Sequence, residues 1–215
     1  MRVLCLELSP QSEQMDSQMK ITPLEINGVW LVESPVWSDI RGTFREWFKS
    51  NEILQITGQE FLAVQSNISR SDKGVIRGIH YSLAPNGQAK WVTCVEGSIL
   101  DVVVDVRRSS PTFGKYLTIS LHGDQGNSLF IEGGLAHGFL AIEDKTMVSY
   151  MLNSPYMPEL EYEIQPLDPD LGIDWKFELL AGTKVIMSQK DAEAPTLTQR
   201  FIEGKLPDYL KQSDS

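Results

Sequence analysis

Short apolar runs, each closed within a few residues by glycine, asparagine, aspartate or proline, recur along most of this 215-residue chain. They include "GVWLVESPVW", "FLAVQSNIS", "GVIRGIHYS", "AKWVTCVEGSILDVVVDV", "KYLTISLHG", "NSLFIEGGLAHGFLAIED" and "MVSYML". Many short strands with turn residues between them leave a sandwich or a barrel as the natural outcome. "SILDVVVDV" narrows this further, because its β-branched content marks a strand. Leu100, Val102, Val104 and Val106 then point one way, and Ile99, Asp101, Val103 and Asp105 the other. Both faces carry apolar groups, so both are covered, as in two packed sheets. Asp101 sits on a largely apolar face. An unpaired buried charge is costly, so Asp101 needs either a structural hydrogen bond or a pocket to line.

"FREWFKSNEILQI" is the main helix candidate, although Phe44, Trp47, Phe48, Ile53 and Leu54 fit a helical stripe only roughly. The tail "APTLTQRFIEGKLPDYLKQSDS" reads as one or two short helices before fraying. "SPQSEQMDSQMK" is polar and without periodicity, so residues 1–18 read as a flexible N-terminal extension and 19–215 as one domain. The formal net charge of -10 argues against binding a nucleic-acid backbone. No stretch approaches the roughly 20 apolar residues of a membrane span. Two cysteines, Cys5 and Cys94, suit a reducing cytoplasm better than a disulfide framework.

Candidate chemistry starts at "GVIRGIHYSLAPNGQAKWVTC". A hairpin turning at Pro85 and Asn86 sets His80 opposite Lys90, and directly opposed residues share a face. The pair then offers a base near neutral pH beside a cation, or else two solvated side chains on a surface hairpin. His137, in "GGLAHGFLA", is either a hydrogen-bonded core residue or part of a site. Tyr150 and Tyr156 are packing aromatics or pocket walls. Arg41, Phe44 and Glu46 are a helix entrance or a binding cluster. His-x-His and Cys-x-x-Cys are absent, and His122 lies in a separate turn, so no metal is expected. There is no Gly-x-Gly-x-x-Gly, phosphate loop or nucleophile elbow.

Three stretches, "GVIRGIHYSLAPNGQAKWVTCVEGSILDVVVDVRRSSPTFGKY", "EGGLAHGFLA" and "LDPDLGIDW", closely resemble the dTDP-4-dehydrorhamnose 3,5-epimerase family. The resemblance runs from about residue 20 to residue 210. It implies an all-β, cupin-type jelly-roll barrel of antiparallel sheets with a few short helices. It also implies a homodimer without metal or cofactor, acting on a dTDP-4-keto-6-deoxyhexose. By motif position it makes His80 the base, Asp191 the carboxylate behind it, Lys90 the enolate-stabilising cation and Tyr150 the acid. Substrate contacts fall on Arg41, Phe44, Glu46, Gln65, Asn67, Arg77, His137, Tyr156, Glu161 and Lys190. The apolar stretch "VWLVESPVW" is a candidate to pair with a neighbouring edge strand in the dimer.

The residue types suit that chemistry. A proton beside a ketone leaves only if the enolate is stabilised, which an imidazole, a carboxylate and a lysine can arrange between them. Inversion then needs a proton from the opposite face, which a phenol can give. Double inversion at C3 and C5 is the expectation. The alternatives are inversion at one carbon of a related sugar, and a non-catalytic sugar-binding jelly roll, since a fold does not dictate function.

Overall fold

The computed structural model describes residues 18–85 and 87–209. The extension expected over residues 1–18, apart from Gln18, lies outside the described residues, as do Cys5 and the last six residues of the tail. The strands in chain order are β1 (Lys20–Pro23), β2 (Val29–Glu33), β3 (Trp37–Asp39) and β4 (Gly42–Phe44), then helix α1 (Ser50–Thr57). They continue with β5 (Gln65–Ser71), β6 (Ile76–Ser82), β7 (Lys90–Glu96), β8 (Ser98–Asp105), β9 (Tyr116–His122) and β10 (Asn127–Ile131). β11 (Leu135–Ala141), β12 (Thr146–Leu152) and β13 (Glu161–Glu163) complete the sheets, followed by α2 (Gln189–Ala192) and α3 (Leu197–Ile202).

A six-stranded sheet in the order β1-β2-β10-β7-β12-β5 faces a five-stranded sheet in the order β13-β6-β11-β8-β9, and every pairing is antiparallel. This is the jelly-roll sandwich expected. Val92, Cys94, Leu129 and Val148 of the first sheet meet Ile99, Val103, Leu121 and Phe139 of the second in an inner core. The two faces of β8 divide as their alternation requires. Leu100, Val102, Val104 and Val106 turn outward and are sealed by Leu171, Trp175, Leu180, Leu197 and Leu206 of the C-terminal arm. The cover on that side is therefore a chain segment rather than a sheet. On the other flank, Ile53 of α1 and Phe61 close over Trp30, Trp91 and Phe130.

The hairpin expected between His80 and Lys90 does not form. β6 pairs with β11 and β13, whereas β7 pairs with β10 and β12, so the two strands belong to different sheets. A turn is present, with Gly87 N–H donating to the Ala84 carbonyl at 2.8 Å, but the strands leaving it diverge. The reason is burial. Tyr81 packs outward under the C-terminal arm, and Trp91 packs outward beneath α1, on opposite flanks of the sandwich. Adjacent strands of one sheet could not bury both in that way.

The helix is shorter than "FREWFKSNEILQI" suggested. Phe44 ends β4, and only Ser50–Thr57 is helical. Phe48 stacks edge-on against Phe61 at 5.7 Å and Trp91 at 5.4 Å, so its burial comes from aromatic packing outside any helix. "VWLVESPVW" also differs from expectation. Its β2 lies between β1 and β10 in its own sheet, so it offers no free edge.

β6 and β11 approach unusually closely at a bulge. A Cβ on Gly78, whose φ is +124°, would lie 2.5 Å from the Gly138 Cα. Only glycines fit there. The bulge follows His137, and the register still sets His137 directly beside His80.

Candidate active site

The side chains that matter come from both sheets and meet in a cavity of about 570 Å³ between them. β6 and β11 supply Arg77, His80 and His137, β7 and β12 supply Lys90 and Tyr150, and the β5 edge supplies Gln65 and Asn67. Tyr156, Glu161, Lys190 and Asp191 reach it from the segments after β12.

His80 Nε2 lies 2.7 Å from Asp191 Oδ1. Ser188 caps α2, its hydroxyl accepting the Asp191 N–H at 3.1 Å, which fixes the carboxylate at the helix start. Burial pushes the Asp191 carboxyl up, but hydrogen bonding and charge at His80, with Ser188 and Lys190 adding to them, hold it below the usual carboxylate range. Asp191 is therefore an anion wherever His80 is a useful base. The histidine ring stays partly open to the cavity, with 43% of its side chain exposed against 7% for Asp191.

Lys90 is buried, and its Nζ donates to the His80 carbonyl at 3.2 Å. Burial lowers its pKa to about 8, while the charges of Glu161 and Asp101 oppose that fall. Tyr150 faces the same space. Burial raises its hydroxyl, Arg77 partly offsets this, and Glu161 adds to it, so the phenol keeps its proton at neutral pH. His137 Nε2 lies 2.8 Å from Asp101 Oδ2. The partner that Asp101 required is therefore a histidine that itself lines the cavity.

The rim is polar and cross-linked. Gln65 donates to Asn67 at 3.1 Å and accepts from the Tyr156 N–H at 2.9 Å. Arg77 Nε donates to the Ser71 hydroxyl at 3.0 Å. Glu161 accepts from Gln88 at 3.2 Å, and Lys190 is paired with Glu163 at 2.9 Å. Among the described residues, no group of three or more His, Cys, Asp or Glu side chains is placed to hold a metal.

Comparison with known proteins agrees with this geometry. Residues 23–199 match the family described as dTDP-4-dehydrorhamnose 3,5-epimerase. The chain belongs to the dTDP-4-dehydrorhamnose 3,5-epimerase family. Among similar members, a Streptomyces protein named dTDP-4-dehydro-6-deoxyglucose 3-epimerase is 41% identical over 187 residues, covering 87% of this chain and 93% of that one. The dTDP-4-dehydrorhamnose 3,5-epimerase of Mycobacterium tuberculosis is 39% identical over 189 residues, covering 88% and 93%. The crystal structure of ChmJ, a 3'-monoepimerase from Streptomyces bikiniensis in complex with dTDP-quinovose, superposes with a TM-score of 0.83 at 40% identity, covering 87% of this chain and 93% of that one.

Eleven of the fourteen site residues expected for a member of this epimerase family line the one cavity. The other three do not reach it within this chain. Arg41 and Phe44 belong to the separate β3–β4 hairpin, where Arg41 pairs with Asp39 and the Phe44 ring lies 5.8 Å from Trp37. Glu46 pairs with Lys49 at 2.8 Å. Sequence reasoning passed over Gln88 and Ser188, which also line the cavity. The Ser188-x-x-Asp191 spacing, a helix-start signal, could have marked Asp191 as held in place. Ser69, Phe139, Leu152 and Tyr162 line it too, with nothing local to single them out.

Proposed function

We propose that this chain inverts C3 and C5 of dTDP-4-dehydro-6-deoxy-D-glucose to give dTDP-4-dehydro-L-rhamnose. The observation that carries the reading is the convergence of a carboxylate-backed histidine, a buried lysine and a protonated tyrosine on one cavity. With Nε2–H donated to Asp191, Nδ1 of His80 is left as the basic nitrogen. It removes the proton from the carbon beside the C4 ketone. The electron pair moves onto the C4 oxygen, where the Lys90 ammonium stabilises the enolate. Tyr150 delivers a proton to the opposite face of that carbon. The resulting phenolate regains a proton from solvent and the imidazolium returns its own, so the product is an isomer of the substrate. Repeating the sequence at the second carbon gives double inversion. Arg77 and Lys190 supply charge for the diphosphate, and Tyr156, 56% exposed at the rim, supplies a ring for the base.

Relatives include enzymes named for one inversion and for two, so the decisive experiment counts the exchanged protons. With dTDP-4-keto-6-deoxyglucose in D2O, proton NMR is expected to show deuterium entering at both C3 and C5. Exchange at C3 alone identifies a 3-epimerase. Exchange at neither carbon defeats the catalytic reading.

We also infer a homodimer in the cytoplasm. The β3–β4 hairpin pairs with neither main sheet and carries Arg41, an exposed Phe44 and an exposed Ile40. Reaching the cavity of a second copy gives these residues a role that their own chain does not. Two defective variants, His80→Asn and Arg41→Ala, are therefore expected to regain part of their activity when refolded together, since one mixed site has both groups intact. A monomer by sedimentation at micromolar concentration, or no regain on mixing, refutes this arrangement. The buried free thiol of Cys94 accords with a reducing compartment, and no helix among the described residues is long and apolar enough to cross a membrane.

A further inference from the structure

Asp101 is wholly buried on β8, between Ile119 and Phe139 on the flanking strands, and no step above uses it. Its Oδ2 holds His137 Nε2 at 2.8 Å, while its Oδ1 has no hydrogen-bond partner among the described residues. An ionised carboxylate is an expensive way to hold a histidine. A neutral acceptor would make the same hydrogen bond without placing a half-satisfied anion in an apolar layer. Its charge is the one property that a neutral replacement lacks.

That charge lies behind the cavity. Around Lys90 stand Glu161 on β13, Asp101 on β8, His80 on β6, His137 on β11 and Tyr150 on β12, with Arg77 farther along β6. Of these, Glu161 and Asp101 are the negative charges that support its ammonium form against burial. Glu161 is at the rim and already accepts from Gln88, whereas Asp101 is sealed from solvent, where its field is screened least.

We propose that Asp101 is a positioning residue for the reaction. It holds His137 in the Nε2–H tautomer with the other ring nitrogen left for the cavity, and it sets a fixed negative charge behind Lys90. This rests on the epimerase reading and extends it to a residue that touches no substrate. The sign of its effect on pH follows. Lys90 acts as a cation, so activity is lost as pH rises through its pKa. Removing the Asp101 charge lowers that pKa further, so the basic limb of the profile moves to lower pH.

Asp101→Asn keeps the shape and an acceptor for His137 and removes only the charge. With the dTDP-4-keto sugar as substrate, kcat/KM is expected to fall about 10-fold more at pH 8.5 than at pH 6.5, with KM little changed. A loss that is uniform across pH, or none, overturns the proposal. Should the variant fail to fold, the parent enzyme still decides. Its histidine 15N spectrum, assigned by the signals lost in His137→Gln, is expected to show a protonated Nε2 at neutral pH, and an unprotonated Nε2 overturns it. A parent that folds but turns over no substrate sinks the epimerase reading, and the 15N spectrum then judges Asp101 alone.

Discussion

His80→Asn is expected to abolish deuterium exchange at both carbons of the sugar. Asparagine keeps a polar side chain but is too short to reach the position from which Nε2 meets Asp191, while Ser188 still caps α2 and holds the carboxylate's backbone in place. What disappears is the basic nitrogen. General base catalysis contributes typically ~100-fold to ~10,000-fold, and exchange measured in D2O should fall by that order. The melting temperature should move little. Tyr150→Phe is the contrasting case, because it removes only the hydroxyl and keeps the ring in the core it packs against. Proton loss should persist at one carbon at least while inverted product falls. Exchange in the asparagine variant at the parent rate means His80 is not the base. Normal product from the phenylalanine variant means Tyr150 is a wall, with the proton coming from elsewhere.

Lys90→Met should lower kcat by ~100-fold to ~1,000-fold, the scale of losing one preorganised donor to a developing oxyanion. Methionine matches the length of the stem and packs well in the same buried channel. The fold should tolerate the change, since removing a desolvated ammonium also removes its burial cost. The pH profile provides the sharper check. The parent should lose kcat/KM as pH rises through about 8, where Lys90 gives up its proton. In the variant that limb should vanish, leaving a slow rate that is level through the same window. A variant with the parent's limb intact would assign the titration to another group and remove Lys90 from the mechanism.

Much of this molecule was legible in its sequence, and the failures share a cause. Strand positions were readable because alternation and turn residues act locally, and β8 even showed that both its faces are covered. Asp101 could be singled out because a carboxylate sharing a strand face with Ile99 and Val103 contradicts its surroundings. The partner of β6 was not readable. A Gly87 N–H bonded back to the Ala84 carbonyl suits either arrangement, and the choice between hairpin and crossing is made by where Tyr81 and Trp91 find cover, far away in the chain. The "FREWF" segment misled because Phe48 is buried by Phe61 and Trp91 rather than by helical periodicity. The His80–Asp191 pair spans 111 residues and leaves no spacing signature, so family resemblance alone suggested it.

That long span also bears on how the protein is made. As the chain leaves the ribosome, the strands bearing His80, Lys90 and Tyr150 are delivered first, and Asp191 follows 111 residues after the histidine it orients. The segment that brings it, the C-terminal arm, is the one that seals the outer face of the five-stranded sheet. A half-synthesised barrel therefore holds a histidine with no carboxylate behind it. On the epimerase reading proposed above, shape and reactivity arrive together, because His80 gains its carboxylate only when the C-terminal arm docks.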